Sequence, residues 1–167
     1  GANGVVIGIL NPDGTVDVER TGALVELARP LSVTYHRAFD VSRDPYEALE
    51  TLIGLGIDRV LTSGQEPSVL EGLDLIVDLV RAAGERIVVM PGGGITERNI
   101  AKIVAASGVQ EVHVAAPVGV PARKHETVGD RPPVESPPIS ARTAVLVDGL
   151  YCCAYVHVIH PLRLALA

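Results

Sequence analysis

The segment His36-Arg37-Ala38-Phe39-Asp40 brings three ionisable side chains together within five consecutive residues. An imidazole such as that of His36 has a pKa near neutrality, so it can act as a general base or as a soft-metal ligand. Arg37 offers a planar fork for a carboxylate or a phosphate, and Asp40 can orient either neighbour. These three are the candidate catalytic residues. The alternative is a network that satisfies itself and only fills the protein interior.

A run of glycines before a predicted helix suggests an anion site. Consecutive glycines allow backbone N–H groups to converge at a helix N-terminus, where the helix dipole attracts an anion. Hydroxyl groups at the end of a neighbouring strand can donate to the same ligand. The candidate anion-binding residues are Gly92, Gly93, Gly94, Thr96, Thr62 and Ser63. The alternatives are a tight turn that needs positive φ angles and simple capping of the next helix by the hydroxyls.

Metal donors are few in this sequence. His113 lies in the last predicted strand and is more typical of an interior histidine than of a ligand. Cys152 and Cys153 are adjacent, which is a poor geometry for chelating a soft metal. With His36 these residues are only weak candidates, and the sequence leaves the metal ligands open. No Cys-x-x-Cys spacing supports structural zinc, and no lysine follows a predicted strand to form a Schiff base.

Short β-branched runs alternate with helical patterns through the first two thirds of the chain. The predicted strands cover residues 5–10, 31–40, 58–64, 86–94 and 110–116. The predicted helices begin at Asp44-Pro45-Tyr46-Glu47 (a capping box), at Leu70 and at Thr96, and they end before Gly56, Gly84 and Gly108. Strands that alternate with helices pair in parallel, so we expect an α/β fold.

Two architectures share this alternation, an open doubly wound sheet and a closed (β/α)8 barrel. Polar residues follow nearly every predicted strand, which favours a barrel, because a barrel gathers polar groups from many strand ends around one axis. Five strands are fewer than the eight that a TIM-type barrel needs. We therefore expect a partial barrel that lacks three β/α units, with open sheet edges at 5–10 and 110–116.

The composition changes after residue 116. Residues 1–116 carry a net charge of −7 and the remainder +1, and six prolines lie between Pro117 and Pro138. Prolines at that density remove backbone donors and fix φ. We expect three parts: a partial barrel over 1–116, a Pro-rich and mostly disordered linker over 117–142, and a divergent apolar tail over 143–167. The tail contains β-rich segments at 143–147 and 150–159.

Composition also excludes several classes of protein. The net charge is −6, Trp is absent and aromatic residues make up 3%, so a nucleic-acid partner is not expected. No apolar stretch approaches the ~20 residues of a bilayer span, so no membrane segment is expected. Two cysteines cannot build a disulfide framework. The sequence shows no signal peptide, which favours the cytoplasm, with the nucleus as a further possibility.

Several of these motifs resemble the CutC family of copper homeostasis proteins. The resemblance rests on HRAFD, RVLTSG and MPGGGIT in that order, and on the flanking segments 1–10, 30–64, 70–80, 86–100 and 108–116. It ends near residue 116. There Ala115-Ala116-Pro117 replaces the Ser-Ala-Arg-like element of the family, and Ser140-Ala141-Arg142 lies too far along the chain to follow that strand.

The resemblance implies a (β/α)8 barrel in which this chain supplies strands four to eight. It also implies copper homeostasis, Cu(I) binding, a cytoplasmic setting and homo-oligomers. The copper-linked cysteines of the family lie on early strands, which this sequence lacks. The divergent end is interpreted as an alternative exon or shifted reading frame, or else as a lineage-specific tail.

Three functions stay open at this point. The first is a Cu(I)-handling protein that is not an enzyme. The second is a barrel enzyme for a small anionic (phosphorylated) substrate, with Gly92–Gly94 as the cradle and His36 and Asp40 as acid and base. The third is a truncated isoform with no independent activity.

Overall fold

The computed structural model describes residues 2–114 and the backbone of 143–145. In chain order the elements are β1 (Gly4–Ile7), α1 (Val18–Ala28), β2 (Ser32–Tyr35), a 3-10 helix (Arg37–Val41), α2 (Pro45–Gly54), β3 (Arg59–Thr62), α3 (Leu73–Ala83), β4 (Val88–Pro91), α4 (Ile100–Ser107) and β5 (Thr143–Val145). The Pro-rich segment and residues 146–167 lie outside this description, so the predicted domain boundaries stay predictions. No helix within the described part is long and apolar enough to cross a membrane.

The five strands form one parallel sheet in the order β4-β3-β2-β1-β5. The predicted α/β class with parallel strands is therefore confirmed, and closure into a barrel stays a prediction. Residues 110–114, predicted as part of a strand, contact β4 through one parallel bridge between Gly92 and His113. The His113 N–H donates to the Pro91 carbonyl over 2.8 Å, so this segment does lie beside the expected neighbour.

The predicted open edge at β1 is wrong. Backbone of residues 143–145 pairs in parallel with β1, with Thr143 opposite Gly4 and Val145 opposite Val6. An uncovered strand edge presents unpaired N–H and C=O groups, and pairing with β5 satisfies that row. The predicted β character of 143–147 is thus confirmed for its first three residues.

The helices begin and end close to their sequence signals. Asp44 caps α2 by accepting from the Tyr46 and Glu47 N–H groups, but the Glu47 carboxylate accepts from Arg43 and does not close the capping box. Helix α3 begins three residues after Leu70, at Leu73. Helix α4 begins at Ile100, because residues 97–99 form a separate turn before it.

The core lies between the sheet and its helices. Val33 and Tyr35 of β2 are fully buried on this side, and the Tyr35 hydroxyl donates to the Ile9 carbonyl over 2.7 Å. The helices contribute apolar residues at helical spacing, which are Val25, Leu49, Leu52, Ile76, Leu79 and Ile103. This packing fixes the strands in register, and with them the positions of the residues that follow each strand.

The opposite face of the sheet is more polar. Arg59 of β3 donates to both carboxylate oxygens of Glu111, over 2.6 and 3.2 Å, and to the Ser32 hydroxyl of β2. The bond to Glu111 raises the pKa of Arg59 above its ordinary value. This ion pair connects the 110–114 segment to the middle of the sheet near the amino ends of the strands.

Two buried threonines predict opposite responses to the same substitution. Thr21 and Thr62 are both fully buried, and the Thr21 hydroxyl has no hydrogen-bond partner among the described residues. We expect Thr21→Val to raise the free energy of unfolding by about 1 kcal/mol, because it removes an unpaired polar group at nearly constant shape. We expect Thr62→Val to lower it by about 2 kcal/mol, because the Thr62 hydroxyl donates to Asp40 and accepts from the Gly64 N–H. Urea unfolding measures both, and shifts of the same sign would contradict the assignment.

Candidate functional site

The functional candidates of HRAFD lie at the carboxyl end of β2. The chain turns there into a 3-10 helix, and His36 caps it by accepting the Ala38 N–H at Nδ1 over 2.9 Å. Strand β3 ends beside it at Thr62. The side chains of Arg37 and Asp40 thereby reach the residues that follow β3. The sequence had predicted these two groups of residues as separate candidates, one catalytic and one anion-binding.

The polar residues that follow β2 and β3 are here called the rim. The Asp40 carboxylate lies at the centre of the rim. Its Oδ1 accepts from the Thr62 hydroxyl (2.5 Å) and the Ser63 N–H (3.0 Å), and the Gln65 N–H lies 3.3 Å away. Its Oδ2 accepts from Arg37 Nε over 2.6 Å and lies 3.0 Å from the Ser63 hydroxyl. The Asp40 side chain is only 8% exposed. These donors occupy both oxygens, so Asp40 orders the residues that follow β2 and β3.

The Arg37 guanidinium is partly held and partly exposed. Its Nε is held by Asp40 and its Nη2 donates to the Ser63 hydroxyl over 2.6 Å, while 45% of the side chain is exposed. Gly93, at a φ of +129° that disfavours any other residue, closes over this pair. A Cβ on Gly93 would lie 3.3 Å from Ser63 Cβ and 3.4 Å from Arg37 Nη1. The structure thus brings Arg37, Ser63 and Gly93 together.

The other predicted anion-binding residues point elsewhere. The Gly92 N–H donates to the Thr62 carbonyl over 2.9 Å, and a Cβ on Gly94 would lie 3.2 Å from Ser68 Cβ. The Thr96 N–H donates to Asn99 Oδ1 over 2.7 Å, and the Asn99 amide donates back to the Gly94 carbonyl.

The predicted start of this helix at Thr96, directly after the glycines, is therefore wrong. Asn99 closes a loop over residues 94–99, and α4 begins only after it. Thr62 is fully buried, and its hydroxyl is engaged by Asp40 and the Gly64 N–H.

His36 stands apart from the Arg37–Asp40 network. Its ring lies on Gly8 at the end of β1, where a Cβ would come within 2.7 Å of Nε2. Because Nδ1 accepts the Ala38 N–H, the proton of the neutral ring is on Nε2. Burial lowers the pKa of His36 below its ordinary value. The ring is therefore neutral at pH 7, the form that serves as a base or a metal ligand.

His113 lies beside β4 and is also held neutral, because burial lowers its pKa. Its Nδ1 is buried and has no hydrogen-bond partner within the described residues. No group of three or more His, Cys, Asp or Glu side chains that could hold a metal ion occurs in the part of the chain that the structure describes. Cys152 and Cys153 lie outside that part.

The sequence did not predict one feature of the site and one ion pair at the opposite end of the sheet. Gly8 allows the imidazole of His36 to approach the backbone just after β1, and a glycine inside a predicted strand is the usual sign of such a close approach. The pair of Arg59 and Glu111 had no sequence signal, because its members are 52 residues apart.

Fold and site together define an α/β protein with a parallel sheet and a polar rim at the carboxyl ends of its strands. A family model described as the CutC family matches residues 1–118, and the chain belongs to the CutC family. The resemblance of HRAFD, RVLTSG and MPGGGIT to that family is therefore confirmed.

Curated relatives support this assignment. The chain is 54% identical over 121 residues to a CutC family protein of Mesorhizobium japonicum, covering 72% of this chain and 47% of the relative. It is 56% identical over 116 residues to the copper homeostasis protein cutC homolog of Mus musculus, covering 70% of this chain and 43% of the relative. The chain therefore spans about half the length of these relatives.

A solved structure agrees with the fold. The crystal structure of CutC from Streptococcus agalactiae matches with a TM-score of 0.63 at 32% identity. The match covers 66% of this chain and 55% of that one.

The contact between Gly8 and His36 predicts a specific response. We expect Gly8→Ala to displace the imidazole, because the new methyl group would occupy its position, and to lower the free energy of unfolding by about 1–3 kcal/mol. A displaced ring regains solvent, so the pKa of His36 should rise toward its ordinary value of 6.5. NMR titration measures this pKa. Gly54→Ala is the matched control, since nothing lies within 4 Å of its Cβ position; equal His36 pKa values in both variants would contradict the contact.

Proposed function

We propose that this chain acts in copper homeostasis and handles Cu(I) as its cargo. The observation that carries the proposal is the identity of 54–56% to relatives, among them proteins named for copper homeostasis in Mus musculus and Homo sapiens. Imidazole nitrogen and thiolate sulfur are suitable ligands for this soft ion. The cytoplasm, where thiols stay reduced, is the compartment that suits such a role.

The described residues fit Cu(I) only in part. His113 presents a buried Nδ1 without a hydrogen-bond partner among those residues, and His36 is held in its neutral form. Both imidazoles are suitable donors. Within residues 2–114, however, neither belongs to a group of three or more His, Cys, Asp or Glu side chains that could hold a metal ion. The remaining donors must come from elsewhere, and a second copy of the chain is the source that a homo-oligomer would supply.

We further propose that residues 1–116 form part of a (β/α)8 barrel. Parallel pairing of β1 to β4, with helices between them, supports this architecture. The parallel bridge between Gly92 and His113 adds residues 110–114 next to β4, as the following strand of a barrel would be. In a barrel, His36, Ser63 and His113 would border one mouth, because parallel strands end on the same side.

Anaerobic titration of the full chain with Cu(I), against a chromogenic Cu(I) chelator, tests the copper proposal. The variants are made in a Cys152→Ser/Cys153→Ser background, so that the tail thiolates do not contribute. We expect one equivalent of Cu(I) per chain, and His113→Gln should weaken binding at least tenfold, or about 1.4 kcal/mol.

Lys102→Gln is the control, since Lys102 is an exposed residue of α4, and it should leave binding unchanged. Binding that disappears with the two cysteines, or that is equally insensitive to His113→Gln and Lys102→Gln, would contradict a Cu(I) site at the rim.

A second candidate function follows from Arg37. Its guanidinium is fixed by Asp40 and Ser63, yet it keeps exposed N–H groups beside Gly93. A fixed, half-exposed guanidinium is suited to a carboxylate or a phosphate. This arrangement favours a barrel enzyme for a small anionic substrate, with His36 as the base.

Inorganic phosphate is the probe for this candidate. We expect Arg37→Lys to weaken phosphate binding at least fivefold, because an ammonium group cannot replace the planar fork. NMR shifts of the Ser63 and Gly93 amides report binding. Arg81→Lys is the matched control, since Arg81 is an exposed residue of α3 that pairs with Asp78. Equal binding by both variants, or shifts that avoid Gly93, would contradict an anion site here.

A further inference from the structure

The two edges of the Arg37 guanidinium have different surroundings. One edge consists of Nε and Nη2, which donate to Asp40 Oδ2 and to the Ser63 hydroxyl, each over 2.6 Å. These two acceptors lie 3.0 Å apart, as neighbouring acceptors on one edge of a guanidinium do. The other edge consists of Nη1 and the second N–H of Nη2, and no described residue accepts a hydrogen bond from Nη1. This second edge is here called the open edge of Arg37.

Gly93 borders the open edge and keeps it accessible. A Cβ on Gly93 would lie 3.4 Å from Arg37 Nη1 and 3.6 Å from its Cζ, so a side chain at this position would crowd the guanidinium. The φ of +129° also favours glycine here. The Arg37 side chain is half-exposed, whereas Asp40 is buried. The committed edge therefore faces the protein, and the open edge can meet a ligand.

Three backbone N–H groups in the loops after β3 and β4 donate to side chains of the protein itself. The Ser63 and Gln65 amides donate to the Asp40 carboxylate, and the Thr96 amide donates to Asn99 Oδ1. Phosphate sites usually combine several backbone amides of this kind, often at the beginning of a helix. Because Asp40 and Asn99 already accept from these amides, they are not available to a phosphate.

Asp40 also affects the charge that the open edge can bind, because its carboxylate pairs with the same guanidinium. The attraction of an anion to a guanidinium rises in proportion to the charge of the anion, whereas the cost of removing the anion from water rises with the square of that charge. At a single guanidinium that is already paired, this balance favours a monoanion over a dianion. A planar carboxylate has one negative charge, and its two oxygens match two parallel N–H donors.

We propose that the open edge of Arg37 binds the carboxylate of a small organic acid through two parallel hydrogen bonds. The anionic substrate class of the rim is then a carboxylic acid and not a phosphate ester. This inference rests on the anion site proposed above and narrows its ligand. The bound carboxylate lies beside Gly93, on the side of the guanidinium away from Asp40.

Two NMR titrations of the isotope-labelled full chain, one with sodium acetate and one with sodium phosphate, test the proposal. Both are carried out at about pH 8, where phosphate is mainly a dianion, and sodium chloride keeps the ionic strength constant. We expect acetate to shift the Arg37 Nε–H and Gly93 amide signals with an affinity at least fivefold higher than that of phosphate. The Val33 amide, which donates to Asp58 at the other end of the sheet, should not shift with either ion.

Arg37→Lys separates the planar fork from its charge, because lysine keeps a positive charge near Asp40 but cannot present two parallel N–H groups. We expect this variant to bind acetate at least fivefold more weakly, while the control Arg81→Lys binds it unchanged. Acetate affinity that is equal in the two variants would overturn the role of the open edge.

The two titrations also distinguish this inference from the anion site on which it rests. Phosphate that shifts the Gly93 amide with an affinity equal to or higher than that of acetate would overturn the preference for a carboxylate and would leave the anion site in place. If neither ion shifts the Gly93 amide, the anion site itself is overturned together with this inference.

Discussion

The carboxylate of Asp40 is the interaction on which the candidate site depends. Backbone and side-chain donors from the end of β3 converge on it, and it holds Arg37 by the guanidinium Nε. A carboxylate removed from water requires such donors, and in return it fixes them in one arrangement. Without it, the residues after β2 and β3 would keep only the bonds of Arg37 to Ser63 and of Gln65 to Ser42, and the Arg37 guanidinium would lose the partner of its Nε.

Much of this fold could be predicted from the sequence. Repeated β-branched runs and helical spacing predicted the parallel α/β sheet, since those patterns are local. Strand β5 could not be predicted as the partner of β1, because nothing local specifies a contact between Gly4 and Thr143. The start of α4 was wrong for a related reason: the glycine run suggested a helix N-terminus, but the Asn99 side chain closes a loop first.

The sequence could predict which residues belong to the candidate site, but it could not predict which of them contact one another. HRAFD identified Arg37, Asp40 and His36, yet their roles separate only in three dimensions. Asp40 and Arg37 turn toward Ser63, whereas His36 turns toward Gly8. These two roles need different chemistry. Arg37 and Asp40 have opposite charges and order the rim by pairing with each other, whereas the neutral imidazole of His36 can accept a soft ion or a proton. The chain belongs to a family with members named for copper homeostasis, and no group of three or more His, Cys, Asp or Glu side chains that could hold a metal ion occurs within the described residues.

Native-state hydrogen exchange of the Asp40→Asn variant tests the role of Asp40 most directly. The Ser63 and Gln65 amides depend on the Asp40 carboxylate, whereas the Val33 amide depends on Asp58 at the other end of the sheet. The account predicts at least tenfold faster exchange at Ser63 and Gln65 with little change at Val33. Unchanged exchange at Ser63, or an equal acceleration at all three amides, would contradict it.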